Sequence, residues 1–142
     1  MRIAEILRSK GTAVATLRPD ATVASLVTIL RSHNIGALVV PSEAGEVAGI
    51  VSERDVVRGL VDRGPALLEE PISGIMTAAV VTCGPEDTVD MLRDLMTQHR
   101  VRHVPVVVDG QLSGIVSIGD VVKSRITELE EDRQHLESYI YR

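Results

Sequence analysis

The 142-residue chain has no phenylalanine or tryptophan and only two tyrosines. Its hydrophobic residues, 44% of the total, are therefore mostly aliphatic, and the core must be built from valine, isoleucine, leucine, alanine and methionine. The net charge of −5 and the lack of aromatic stacking platforms argue against a nucleic-acid-binding surface. They do not exclude a local cationic pocket for a phosphate.

Cysteine is almost absent too. The one cysteine, Cys83, cannot form an internal disulfide, which is typical of a reducing compartment, and we expect it to be a small buried apolar residue. No apolar run reaches the length of a membrane span, and the amphipathic N-terminus is unlike a signal peptide. These absences predict a soluble cytoplasmic protein.

The sequence also lacks the usual signs of catalysis. The four histidines and one cysteine show no zinc-ligand spacing, and there is no phosphate-binding loop or dinucleotide glycine fingerprint. No general base accompanies a nucleophile such as Ser52. We therefore expect no metal, no required cofactor and no enzymatic activity; a small nucleotide hydrolase would need a metal or base that is not visible.

What the chain does contain is an internal repeat. The segment Gly49-Ile50-Val51-Ser52-Glu53-Arg54-Asp55 returns as Gly114-Ile115-Val116-Ser117-Ile118-Gly119-Asp120, and the match extends upstream to residues 19–23 and 85–89. A repeat of this length indicates two copies of one supersecondary unit. Since a half of about 60 residues buries little surface, we expect the halves to depend on each other.

Hydrophobic periodicity and turn signals predict the same order of elements in both copies: strand, helix, strand, strand, helix. The predicted elements are a leading helix 2–10, strand 13–16, helix 22–33, strands 36–40 and 47–51, a helix from 52 to about 61, strand 79–83, helix 88–99, strands 103–108 and 111–116, and a helix from 118. This is an α+β fold of two units packed with pseudo-twofold symmetry. We predict units at 1–62 and 72–124, a linker at 63–71 and a C-terminal helical extension at 125–142.

The last helix continues well beyond the repeat. Its apolar residues have the 4, 3, 7 and 4 spacing of a coiled-coil seam, at Val122, Ile126, Leu129, Leu136 and Ile140. Such a face needs an apolar partner. It could pack back on its own domain or pair with a second subunit, and we expect a homodimer.

The Ser-x-x-Asp pairs, Ser52 with Asp55 and Ser117 with Asp120, have two interpretations. Each opens a predicted helix, so each fits a capping box. The same position could also bind a nucleotide, because free N–H groups at a helix start accept a phosphate and a carboxylate one turn later can accept hydrogen bonds from a ribose diol. The nearby cations are Arg54, Arg58 and Lys123.

A small basic cluster covers residues 99–103, His-Arg-Val-Arg-His. We favour a solvated or pocket-lining role over contact with nucleic acid. The matching positions of the first copy are uncharged, with Gly36-Ala37 standing where Arg102-His103 stand. We therefore expect the second site to be the more cationic one.

Together these motifs resemble the CBS domain pair, or Bateman module, of the small stand-alone bacterial type. The resemblance covers about residues 1–125. It rests on the sequence from Val101 to Val107 followed by Gly114-Ile115-Val116-Ser117, and on the Ile75-Met76-Thr77 segment before the second copy. Such pairs bind adenosine-containing ligands between their units: AMP, ADP, ATP, S-adenosylmethionine, NAD or cyclic di-AMP.

The resemblance also implies roles for individual residues. The ribose-binding position falls on Asp55 and Asp120, and the phosphate-binding position falls on Ser52 and Ser117. A threonine near the base or phosphate falls on Thr16 and Thr82. The segments that would enclose the adenine are Ile35, Gly36 and Ala37 in the first copy and Arg102, His103 and Val104 in the second.

The sequence thus predicts a regulatory sensor that binds an adenine nucleotide and modulates a separate effector protein or its own oligomeric state. A nucleotide-independent homodimeric scaffold, in which the Ser/Asp pairs are only helix caps, is the alternative.

Overall fold

A computed structural model describes residues 1–78 and 81–141. Within these ranges the chain forms five α-helices and two antiparallel two-stranded sheets. The elements are α1 (Ile3–Lys10), α2 (Val23–His33), β1 (Ala37–Pro41), β2 (Val47–Ser52), α3 (Glu53–Arg63), α4 (Val89–His99), β3 (His103–Val108), β4 (Gln111–Ser117) and α5 (Ile118–Ile140). The α+β class, the tandem repeat and the long C-terminal helix are confirmed.

The repeat is visible in the way the helices begin and end. Thr22 caps α2 and Thr88 caps α4, each hydroxyl oxygen accepting a hydrogen bond from the backbone N–H three residues later, at 3.2 and 3.1 Å. Both helices end at a residue in the left-handed conformation, Asn34 and Arg100. Equivalent sequence signals therefore produce equivalent helix boundaries.

The two sheets are hairpins with matching registers. Ala37 lies opposite Ser52 in the first, and His103 lies opposite Ser117 in the second. The turn of the second hairpin has positive φ at Asp109 (50°) and Gly110 (78°), as an Asp-Gly turn requires. Each motif serine therefore stands at the end of a strand, beside the start of the preceding strand.

Among the described residues, the first predicted strand of each copy forms only an isolated bridge. Within the predicted strand 13–16, Thr16 makes one parallel bridge to Val39, and Cys83 makes one to Val106. The backbone bonds around the first bridge, Leu17 N to Val39 O and Val39 N to Ala15 O, are both 3.4 Å long. These extended segments lie along a sheet edge without a continuous ladder. Residues 79 and 80 of the predicted strand 79–83 lie outside the described residues.

The segment between the copies is more regular than the predicted linker. Short 3₁₀-helices cover Gly64–Glu69 and Ile72–Gly74. Leu67 and Ile72 are fully buried. The predicted linker 63–71 therefore contributes to the core, because Leu67 supplies apolar surface that the short helices of the first copy need to cover their buried faces.

The leading segments of the two copies are exchanged. Ile3, Ile6 and Leu7 of α1 are buried with the side chains of the second copy. Ile72, in the equivalent place before the second copy, is buried with the side chains of the first. The exchange is reciprocal in the backbone as well, since Ile3 N donates to Asp87 O at 2.9 Å and Ile72 N donates to Ala21 O at 2.8 Å.

The two cores therefore do not follow the boundary between the repeats. A chain cut at residue 62 would separate α1 from the core that buries it. This is the physical reason to expect the halves to depend on each other. The boundaries 1–62 and 72–124 remain a prediction about the sequence copies.

The helix α5 leaves the body of the protein after its second turn. Val121 and Ser124 are buried, but the predicted seam is exposed from Val122 (50%) to Ile140 (74%). No helix within the described ranges is both long and apolar enough to span a membrane.

Candidate functional site

The two Ser-x-x-Asp motifs form the same capping box. The Asp55 N–H donates to Ser52 Oγ at 3.4 Å, while Asp55 Oδ2 accepts from Ser52 N at 2.8 Å and from Ser52 Oγ at 3.1 Å. The corresponding distances for Ser117 and Asp120 are 3.2, 2.8 and 3.0 Å. The capping interpretation is confirmed for both copies, and it engages only one carboxylate oxygen of each aspartate.

The surroundings of the two motifs differ. Ser52 and Asp55 line a cleft of about 640 Å³ that is closed on its other side by the basic cluster of the second half. This volume lies within the usual range for small-ligand sites. The start of α3 and the start of β3 therefore face the same space.

The third wall comes from the exchanged segment. Thr77 N donates to Ile50 O at 2.9 Å and Ile50 N donates to Thr77 O at 3.1 Å. A Cβ placed on Gly49 would lie 2.9 Å from Thr77 O and 2.8 Å from Met76 Sδ. Only glycine at position 49 leaves space for this approach, which places Thr77 on the lining of the cleft.

His103 reaches the cleft because Gly36 has no side chain. A Cβ at Gly36 would lie 3.3 Å from Cε1 of His103. Burial, with Lys10 and Arg102 adding to it, lowers the pKa of His103 below its ordinary 6.5, although the nearby carboxylates of Glu53 and Asp120 oppose the shift. The imidazole is therefore neutral at neutral pH and lies between the two Ser/Asp motifs.

Asp120 has a partner that Asp55 lacks. Lys10 Nζ lies 2.6 Å from Asp120 Oδ2, with both side chains less than one-third exposed. Burial raises the pKa of Asp120, but the hydrogen bonds from Lys10 and Ser117 outweigh burial and hold the pKa below its ordinary 3.8. The exchanged helix α1 thus supplies a cation to the second motif.

The structure brings eight of the predicted site residues into one cleft. They are Gly36, Ala37, Ser52, Arg54, Asp55, Arg58, Arg102 and His103. The expectation of a more cationic second site is reversed, because Arg102 of the second copy lines the same cleft as Asp55 of the first. The whole basic cluster 99–103 lines this cleft, as the pocket-lining interpretation predicts.

Seven predicted residues lie elsewhere among the described parts of the chain. Thr16 and Thr82 are exposed beside the sheet edges, Ile35 packs on the first core, and the Val104 side chain is fully buried in the second. The other three are Ser117, Asp120 and Lys123. Lys123 is exposed, and Ser117 and Asp120 are joined to each other and to α1. A role for these residues in ligand binding remains a prediction.

Sequence reasoning missed two charged or polar contributors, Glu53 and Thr77. Glu53 follows Ser52 directly, so the motif itself could have drawn attention to it. Thr77 belongs to the Ile75-Met76-Thr77 segment before the second copy, which by itself indicates no role in a site. Its place in the cleft depends on pairing with Ile50, 27 positions earlier, which leaves no periodic signal in the sequence.

Other candidate chemistry is weak. Cys83 is 6% exposed, and burial, with Asp87 nearby, raises its pKa to about 12, so its thiol is inert at neutral pH. Across residues 1–78 and 81–141, no group of three or more His, Cys, Asp or Glu side chains could hold a metal ion.

A second, smaller groove of about 210 Å³ lies between α4 and α5. It is lined by apolar residues such as Val89, Val121 and Ile126, with Arg93 and Glu128 at its margins. The exposed seam of α5 begins here. This face suits a helix rather than a polar small molecule.

Comparison with known proteins identifies the repeat. The family model of the CBS domain matches residues 3–62 and 72–126. A CBS-domain containing protein from Agrobacterium tumefaciens is 43% identical and superimposes with a TM-score of 0.85, covering 88% of this chain and 99% of that chain.

Two other similar structures contain adenosine compounds. The CBS domain pair of protein MJ0100, in complex with 5-methylthioadenosine and S-adenosyl-L-methionine, is 26% identical with a TM-score of 0.81, covering 90% of this chain and 98% of that chain. A CBS domain protein from Pyrobaculum aerophilum complexed with AMP is 29% identical with a TM-score of 0.76, covering 84% of this chain and 89% of that chain.

Proposed function

This chain belongs to the CBS domain family, and we propose that it is a regulatory module that binds an adenosine-containing ligand in the cleft beside Ser52 and Asp55. The observation that carries the proposal is that only one carboxylate oxygen of Asp55 has hydrogen-bond donors among the described residues. Its Oδ2 serves the helix cap, whereas no described residue donates a hydrogen bond to its Oδ1, and the residue lines a cleft of nucleotide size. A ribose diol would supply the missing donors.

The ligand complexes of two similar proteins support an adenosine compound as the ligand class. The candidates for this chain are AMP, ADP, ATP, S-adenosylmethionine, NAD and cyclic di-AMP. The base would lie against Gly36 and Ala37, and the phosphate or its equivalent would lie at the start of α3, beside Ser52 and Arg54.

The proposal assigns binding and no catalytic step to the cleft. Ser52 Oγ donates to Asp55 at 3.1 Å and accepts from the Asp55 N–H at 3.4 Å, so both of its hydrogen-bonding roles serve the cap. Regulation would follow from the position of the ligand between α3 of one half and residues 100–103 of the other. A ligand can shift the arrangement of the halves only by its differential affinity for the two arrangements.

Thermal unfolding with each candidate ligand tests the proposal. A ligand at about 100 times its Kd stabilises the protein by about 2.7 kcal/mol, which raises Tm by about 5–10 °C for a chain of this size. Asp55→Asn is expected to abolish the rise. Asp120→Asn is the matched control, since it changes an equivalent cap outside the cleft, and the rise should persist.

The competing function is a nucleotide-independent homodimeric scaffold. It predicts no Tm rise with any adenosine compound, in the parent protein or in either Asp→Asn variant. The exposed seam of α5, from Val122 to Ile140, favours a homodimer in either case. The oligomeric state measured by sedimentation tests that pairing. Leu129→Glu should weaken the dimer because it places a charge in the seam, whereas the control Glu130→Gln does not.

A further inference from the structure

Four arginines converge on the cleft beside Asp55: Arg54 and Arg58 from α3, and Arg100 and Arg102 from the other half. Elsewhere the arginines are commonly paired, as in Arg63 with Glu70 at 2.8 Å and Arg133 with Glu137 at 3.0 Å. No carboxylate of the described residues lies within ion-pair distance of the four. An acidic protein thus concentrates unpaired guanidinium groups in one place.

This set of arginines is not a product of the repeat. The matching residues of the other copy are Gly119 for Arg54, Lys123 for Arg58, Asn34 for Arg100 and Gly36 for Arg102. The motif serines and aspartates are the same in both copies, but each of these four positions differs. Because two of the arginines come from each half, their convergence arises only when the halves are packed together.

Arg100 stands in an unfavourable backbone conformation. It ends α4 with φ 55° and ψ 40°, in the left-handed region, where asparagine is tolerated far better than arginine. The equivalent residue of the first copy, at φ 52° and ψ 49°, is Asn34. Stability of the backbone alone would favour asparagine at both positions, so the helix cap does not explain the arginine at position 100.

The charge of the cleft indicates which kind of ligand its guanidinium groups can bind. Glu53 and Asp55 are the acidic residues of its described lining, and they are outnumbered by the four guanidinium groups. His103 is neutral there. Guanidinium binds phosphate oxygens through paired hydrogen bonds, and charge-assisted bonds of this kind are the stronger ones. One phosphate cannot engage four such groups, whereas a chain of phosphates can.

We propose that the ligand of this cleft carries a chain of two or more phosphates, as a nucleoside di- or triphosphate does, in preference to a monophosphate or a sulfonium compound. The inference rests on the proposed function and narrows its ligand class. The adenosine end would lie by Asp55 and Gly36, and the phosphate chain would extend along the arginines. The cation on S-adenosylmethionine makes that compound the poorest fit.

Isothermal titration of the full chain with adenosine, AMP, ADP, ATP, inorganic triphosphate and S-adenosylmethionine tests the inference. Affinity is expected to rise by about tenfold with each added phosphate and to fall steeply with added salt. Arg58→Gln should weaken ATP binding about tenfold while leaving adenosine binding unchanged. Arg93→Gln, which removes an arginine of α4 that lines the other groove, should have no effect.

Arg100→Asn provides a second test, in which stability and ATP binding should change in opposite directions. A purely structural role of Arg100 would not produce that combination. It should raise Tm by relieving the left-handed backbone and at the same time weaken ATP binding. If AMP or S-adenosylmethionine binds as tightly as ATP, the inference is wrong and the proposed function stands. If inorganic triphosphate binds as tightly as ATP, the adenosine part of the proposed function fails and the inference stands. Binding of none of the six compounds overturns both.

Discussion

The two Ser-x-x-Asp motifs have the same internal geometry and different surroundings. The serine N–H to aspartate Oδ2 distance is 2.8 Å in both. Yet Asp55 lines an open cleft, whereas Asp120 is tied to Lys10 at 2.6 Å. A repeated sequence therefore reproduces its local hydrogen bonds, while the other half of the molecule decides what each copy faces.

The difference arises from the residues that the exchange of segments brings to each motif. The first motif receives Thr77 and the basic cluster of the second half. The second receives Lys10, the last residue of α1. One motif is consequently surrounded by cations without partners, and the other holds its cation in an ion pair.

The largest effect is expected from breaking the exchange itself. Ile3 and Ile72 are equivalent residues of the exchanged segments, and both are fully buried. Ile3→Ala and Ile72→Ala should each lower the free energy of unfolding by about 2–5 kcal/mol, through lost burial and the cavity left behind. Urea denaturation measures both.

The control for this pair is Val61→Ala. Val61 is 82% exposed, so its truncation should change stability by less than about 0.5 kcal/mol. A near-neutral result for either isoleucine would show that its segment does not belong to the core that surrounds it in the structure.

A smaller effect should separate the structural from the binding role of the serines. Ser52→Ala and Ser117→Ala each remove a side-chain cap and should each cost about 1 kcal/mol. Only Ser52→Ala should also weaken the ligand-induced rise in Tm, since Ser52 lines the cleft. Ser52→Thr keeps the hydroxyl and should restore stability. An equal loss of ligand response in both alanine variants would contradict the difference between the motifs.

The smallest effect is expected from Lys10→Met, which removes the cation from the second motif. The depressed pKa of Asp120 contributes stability that is present above its ordinary value of 3.8 and is lost as the pH falls through the folded-state value. The variant should therefore be less stable than the parent by under about 1 kcal/mol at pH 7, and the two should converge in acid.

Lys123→Met serves as the control because Lys123 is exposed and has no ion pair among the described residues. Urea denaturation at neutral and acidic pH measures the difference. A gap between Lys10→Met and the parent that stayed constant across this pH range would mean that the ion pair does not stabilise the fold.

Much of the fold could be predicted from the sequence because its elements depend on local signals. Caps such as Thr22 and Thr88, the Asp109-Gly110 turn and the apolar periodicity place most boundaries within one or two residues. The segments at 13–16 and 79–83 were predicted as strands from apolar character alone. A strand also needs a partner along its whole length, and Thr16 has only one bridge.

The candidate site could be predicted only in part. Ser52, Asp55 and the residues beside them follow from the repeat, because a capping box needs only neighbours in sequence. The position of Arg102 in the same cleft as the first motif could not be predicted. An alignment of the two copies places Arg102 in the second site, whereas the packing of the halves places it in the first.

Local sequence specifies the two copies, their helix caps and hairpins, and the serine and aspartate at the start of a helix in each. The packing of distant segments is what brings α1 over the second core, Lys10 to Asp120, and four arginines from both halves into one cleft. The reason is the range of the interactions. Caps and turns are formed by residues within a few positions of each other, whereas the charge around a motif is the sum of groups that burial of apolar surface has brought together from distant parts of the chain.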